Sequence, residues 1–201
     1  MKRLFIPFAA LFLLSFMLIE TSLSQKERTF AIDELTKSKN HLVSALKGLS
    51  KEQLNFKPSP DSWSIAECTE HIAVSEGSIY GIVEGALKQA ADPAKRSEVK
   101  MTDDQVIAMI TDRSKKIKTS QDLEPSGKFG STDASVKAFI DKRDSHIAYV
   151  KNTKDDLRNR YQQMPFATLD AYQVILFMAG HSERHTKQIE EVKANPDFPK
   201  K

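Results

Sequence analysis

Apolar residues recur every three to four positions over most of this chain, and the strict alternation of strands is hard to find. One such stretch, about residues 26–47, sets Leu35, Leu42, Leu46 and Leu49 on one side and predicts a first long helix. The segment SKEQLNFKPSPDSWS breaks it, because Pro58 and Pro60 cannot continue a helix and hold the residues before them extended. Ser62 or Ser64 can cap a second long helix, and Ser64 with Glu67 three residues on forms a capping box. Its stripe is Ile65, Cys68, Ile72, Ser75, Ile79, Val83 and Ala86, and it ends before Pro93. Roughly forty residues then follow, far more than a tight antiparallel turn needs. They include a short helix predicted over 102–118, capped by Thr102, and a loose EPSGKFGST. A third long helix starts near Ser131 or Thr132 and shows Val136, Ile140, Ile147, Val150, Leu157 and Tyr161. A break at 164–167 leads to a fourth, capped by Thr168, with Leu169, Tyr172, Leu176 and Ala179 apolar. Four long amphipathic helices, with one long crossover between the second and third, predict an all-α four-helix bundle running up, down, down, up.

The N-terminus follows another pattern. MKR, then LFIPFAALFLLSFMLI, then SLS at 22–24 have the charged, apolar and small-residue regions of a secretory signal peptide, residues 1–24, cut before Gln25. The apolar run is slightly short for a spanning helix and Pro7 interrupts it, so removal is favoured over a retained anchor and no stable membrane span is expected after processing. An exported protein, periplasmic or secreted, is the expectation, with residues 25–201 as one bundle domain. Charge changes little in this picture: 30 Lys and Arg against 27 Asp and Glu imply no nucleic-acid or anionic-membrane partner. Cys68 is the only cysteine, so no internal disulfide forms and stability must come from packing or a metal.

The candidate chemistry lies in GHSERHTKQIEEV, residues 180–192, where His181 and His185 stand one turn apart on one helical face. They continue the row Val174, Phe177 toward Gln188 and Val192, beside the core. On the second helix His71 sits among Cys68, Val74 and Ser75. It lies about 10 Å from the start of its helix, and the pair about 15 Å from the end of its own, so antiparallel helices bring the three to similar heights. Three imidazoles with a fourth position open form the ligand set of a catalytic divalent-metal site, although imidazole does not choose among zinc, nickel, copper and iron. The same residues also read as core-edge histidines hydrogen-bonded to neighbours. HSERH departs from the zinc-protease pattern, since Glu183 points away from the pair and reads as a solvated charge. Glu67, one turn before His71, is a candidate base or orienting group as well as a cap. Gln188 reads as a hydrogen-bonding neighbour of the site or a bundle-edge residue, and His146, on the Phe139, Arg143 and Val150 side of its helix, as an edge-packing group. Trp63 is expected to plug the bundle end near the metal, Cys68 to pack as a thiol, and nothing in the sequence recruits His41.

Two stretches, DSWSIAECTEHIAVSE at 61–76 and AGHSERHTKQIEEVKANPDFP at 179–199, resemble the signature segments of the DinB-like (YfiT-like) superfamily of metal-binding four-helix bundles. The resemblance spans essentially the whole chain after residue 24. It implies one divalent metal ion, zinc, nickel or iron, held by His71, His181 and His185. It also implies an unknown small-molecule substrate and allows a homodimer. The superfamily includes thiol-dependent transferases and isomerases as well as hydrolases. The signal peptide argues against a role that relies on a cytosolic thiol and favours a metal-dependent hydrolase, with a non-catalytic metal- or ligand-binding bundle and a thiol-dependent transferase-like protein as the alternatives.

Overall fold

Side-chain caps set where the helices begin. In the computed structural model, which describes residues 22–200, Ser24 accepts a hydrogen bond from the Glu27 amide and opens α1 (Gln25–Leu46). Equivalent boxes open α2 (Lys51–Asn55) at Ser50 and Gln53, α3 (Ile65–Leu87) at Ser64 and Glu67, and α4 (Asp103–Thr111) at Thr102 and Gln105. Ser131 caps α5 (Thr132–Asn152) and Asp170 caps α6 (Ala171–Lys193). A two-stranded antiparallel hairpin, β1 (Tyr161–Gln163) and β2 (Thr168–Asp170), joins α5 to α6, with Tyr161 opposite Asp170. Residues 1–21, which hold most of the expected signal peptide, lie outside the described residues; Leu23 and Ser24 at its expected end are built into the fold, Leu23 in the core. Among the described residues no helix is long and apolar enough to cross a membrane.

The four long helices α1, α3, α5 and α6 make the all-α bundle that the sequence predicts. α1 and α6 run parallel, since the Tyr172 hydroxyl near the start of α6 donates to the Glu27 carbonyl and Lys193 at its end donates to the Ala45 carbonyl. α3 runs against α6: Ile65 and Cys68 share one apolar cluster with Ile189 and Val192, while Val83 and Ala86 share the other with Tyr172 and Ile175. α5 lies parallel to α3, with Phe139 in the first of those clusters and Val150 in the second. The directions are therefore up, down, down, up. α1 and α3 each pack between α5 and α6, so α1 and α3 sit on one diagonal and α5 and α6 on the other, while α3 and α5, joined by the crossover, are neighbours.

A polar layer separates the two apolar clusters. Arg143, fully buried, donates through Nε and Nη2 to the two Glu76 carboxylate oxygens at 2.7 Å. It also donates to Ser38 and the Leu35 carbonyl on α1 and to Ser182 on α6. His146 Nδ1 lies 2.9 Å from the same Glu76 carboxylate, and the imidazole stacks on Tyr80. Burial would raise the Glu76 pKa, but Arg143 and His146 outweigh it and hold the carboxylate below its ordinary value.

Several boundaries differ from the sequence reading for identifiable reasons. α5 ends at Asn152, leaving Leu157 buried beyond it and Tyr161 in the hairpin. Its fully inward face is Ser135, Phe139, Arg143, His146 and Val150 rather than the stripe through Val136, Ile140 and Ile147, because the ionic layer puts charged residues at core positions. Thr168 is committed to strand pairing, so the cap of α6 falls to Asp170, whose Oδ1 accepts from the Gln173 amide at 2.7 Å. α4 stops at Thr111, not near 118, where Arg184 gathers the carbonyls of Ile110, Asp112 and Lys115 onto α6. Gly180 lets α4 approach closely: a Cβ there would stand 2.3 Å from Ile110 Cγ2.

Candidate metal centre

The cap at Ser64 sets the phase of α3 and the cap at Asp170 that of α6, and these phases turn His71, His181 and His185 into one interhelical seam. One nitrogen of each ring lies within 4.8 Å of the others. His71 Nε2 and His181 Nε2 are 3.3 Å apart. His71 Nδ1 is 2.8 Å from the Leu123 carbonyl. A carbonyl only accepts, so Nδ1 carries the proton and Nε2 keeps its lone pair. His185 Nδ1 lies 2.9 Å from Gln188 Oε1, toward which Arg113 also donates, and Arg113 is braced by two bonds of 2.6 Å to Glu191. An acceptor on Nδ1 is the arrangement that orients metal-ligating histidines.

The donor set fits a divalent metal. Two nitrogens at about 2.0–2.1 Å from a tetrahedral ion stand roughly 3.4 Å apart, close to the measured Nε2 separation. Burial holds the His71 pKa below its ordinary value against the Leu123 bond. Burial, with His185 and His71 nearby, lowers that of His181 far more. Burial and His71 push His185 down to about 3. Near neutral pH all three rings are uncharged, the form in which imidazole binds metal. Trp63 packs at this end of the bundle, its ring 4.9 Å from His71 and 6.1 Å from His185. Phe177 lies 6.3 Å from His181 on the other side and stacks on the exposed Phe166.

The other candidates separate cleanly. Glu67 does not orient His71. Its carboxylate accepts from the Ser64 amide and from Lys57, each at 2.7 Å, because the capping box draws it back toward the helix start; the Leu123 carbonyl takes the orienting place. Burial would raise the Glu67 pKa, but Lys57 and the cap keep it lowered, so it is an ionised, engaged group. Cys68 packs in the core, its thiol pushed up to about 12 by burial, and among the described residues the cluster of ligating groups is the three histidines without it. His146 belongs to the polar layer. His41 is recruited after all, by Glu183 at 2.8 Å and Glu190 at 3.4 Å, so Glu183 is a paired rather than a solvated charge. Arg113 and the Leu123 carbonyl carry no local sequence signal, since each reaches the site across the crossover.

The pairing of His41 makes a pH-dependent contribution to stability. Burial alone would lower its pKa, but Glu183 and Glu190 outweigh this and raise it. A raised folded pKa contributes stability that is fully present below the unfolded value of about 6.5 and is lost as pH rises through the folded one. His41→Gln should therefore destabilise the protein more in mildly acidic than in alkaline urea titrations, and an equal loss at both ends would remove the pairing as the cause.

Comparison with known proteins places these features. A family model described as the DinB superfamily matches residues 34–189. YuaE of Bacillus subtilis (strain 168), an uncharacterised protein, is 30% identical over 149 residues, covering 74% of this chain and 88% of the relative. The fold is similar to that of YfiT from Bacillus subtilis, with a TM-score of 0.57 at 15% identity, over 89% of this chain and 92% of that one. YfiT is described as a probable metal-dependent hydrolase with an unusual four-helix bundle topology.

Proposed function

The chain belongs to the DinB superfamily, and from that premise we propose that it is an exported, divalent-metal-dependent hydrolase of a small molecule, with His71, His181 and His185 as metal ligands. The observation that carries the reading is the pair of facing Nε2 atoms at 3.3 Å, one with its Nδ1 proton committed to a carbonyl. A divalent ion held by these three neutral imidazoles would supply Lewis acidity and lower the pKa of water toward neutrality. The chain's own residues then do the rest. Leu123 and Gln188 hold two rings in register, Trp63 shields one flank, and Phe177 with Phe166 offers an apolar surface beside His181. The YfiT description points the same way by analogy of fold. The N-terminal leader pattern supports export, and an extracytoplasmic setting favours water over a cytosolic thiol as the second substrate.

The test uses untagged protein from its native host. It should be recovered outside the cytoplasm with a bound divalent metal. Its hydrolysis of some small ester or amide should vanish with chelator and return with zinc, nickel or iron. Activity indifferent to metal removal rejects the hydrolase mechanism, and bound metal without any hydrolysis favours the non-catalytic bundle.

A further inference from the structure

Beside His71 stands a carboxylate with an unusual set of partners. Glu70 is 8% exposed. Its Oε1 accepts from the amides of Ser126 at 3.0 Å and Lys128 at 2.8 Å, and its Oε2 from the amide of Gly127 at 3.0 Å. Gly127 adopts φ 76°, a left-handed conformation that turns successive N–H groups toward one concave face, the backbone nest that suits an anion. Ser126, Gly127 and Lys128 are themselves exposed. Three residues upstream in the same loop is Leu123, whose carbonyl accepts the hydrogen bond from His71 Nδ1–H. Glu70 and His71 are consecutive on α3, so their side chains diverge by about 100° and grip the loop at two points.

Building on the metal-ligand reading above, we infer that Glu70 is a positioning residue: by clasping the backbone of 126–128 it keeps the Leu123 carbonyl on His71 and so fixes the tautomer that offers Nε2 to the metal. Without the clasp the loop is free to leave, and the imidazole can carry its proton on either nitrogen. Glutamine substitutes only in part, because its NH2 end would face at least one amide, that of Gly127, which needs an acceptor.

The experiment compares the parent with Glu70→Gln, Gly127→Ala and Glu124→Gln, which removes an exposed charge from the same loop. The His71 tautomer is read in metal-free protein from side-chain nitrogen NMR, and zinc affinity is measured by competition with a chromophoric chelator. The parent and Glu124→Gln should show His71 protonated at Nδ1. Glu70→Gln should show a mixture of tautomers and bind zinc about ten-fold more weakly or worse, the scale of losing an outer partner of a ligating histidine. Parent-like tautomer and affinity in a folded Glu70→Gln would overturn the inference. If that variant does not fold, Gly127→Ala, which keeps the carboxylate but strains the nest, carries the same expectations and the same overturning result. A parent that binds no zinc would reject the ligand reading, while the metal-free tautomer comparison would still decide the role of Glu70.

Discussion

Replacing Arg143 with methionine is expected to lower the unfolding free energy by about 3–5 kcal/mol, the loss typical of removing one partner from a buried ion pair. The reason lies in what remains. Glu76 would keep only His146 as a partner at that carboxylate, in a layer closed by apolar clusters above and below. Ser38, Ser182 and the Leu35 carbonyl would lose their shared donor as well. Denaturant titration measures the loss, and its pH dependence identifies the cause. The Glu76 pKa is lowered in the folded parent, so the pair contributes stability above the unfolded carboxylate value, about 4.3, and loses it as pH falls through the folded one. The gap between parent and variant should therefore narrow in acid. The double variant Arg143→Met with Glu76→Leu should recover much of the loss, since apolar replacement of a whole buried pair is often neutral or better. A double variant as unstable as the single one would show that shape, not charge, sets the cost.

The second large effect concerns the triad. His71→Ala, His181→Ala and His185→Ala should each weaken zinc binding well beyond the roughly 10–100-fold that outer-shell changes cause. His41→Ala and His146→Ala should leave it near the parent value, because their rings are spent on Glu183, Glu190 and Glu76. Added zinc should raise the melting temperature of the parent more than that of the three ligand variants, by mass action on the folded state. The bundle should survive each single change, since its core is apolar and extensive. Equal loss of zinc in the His41 or His146 variants would disprove the assignment, as would zinc retained in all three ligand variants.

Much of this architecture was legible in the sequence because its signals are local. Ser64 and Glu67 mark a helix start within four residues, and the stripe from Ile65 to Ala86 follows the helical period, so α3 and the height of His71 could be placed from the chain alone. The convergence with His181 and His185 followed from counting turns. What stayed hidden depends on partners far along the chain. Nothing near Arg143 in the chain marks it as a core residue until Glu76, 67 positions away, is set against it, and that pairing shifts the inward face of α5. Glu67 looked like the natural companion of His71, being one turn away. Its neighbour Glu70 matters through backbone amides of a loop more than fifty residues on, and amides leave no mark in a sequence. The His41 pairing was missed for the same reason, since Glu183 is 142 positions distant.

The diagonal placement of α1 against α3 and of α5 against α6 constrains the order of assembly. A bundle of sequential hairpins can begin folding as each hairpin is made, whereas here neither α1 with α3 nor α5 with α6 packs as a hairpin, and the one contact between successive long helices, α3 with α5, spans the crossover. His71 and His181 are 110 residues apart, and α6, which carries two of the three candidate ligands, also forms a wall against both α1 and α3. A chain still lacking α6 has one candidate ligand of the three and no seam to hold it. A metal bound through the three histidines would therefore not template the early stages of folding; it would lock a bundle whose last helix has already arrived.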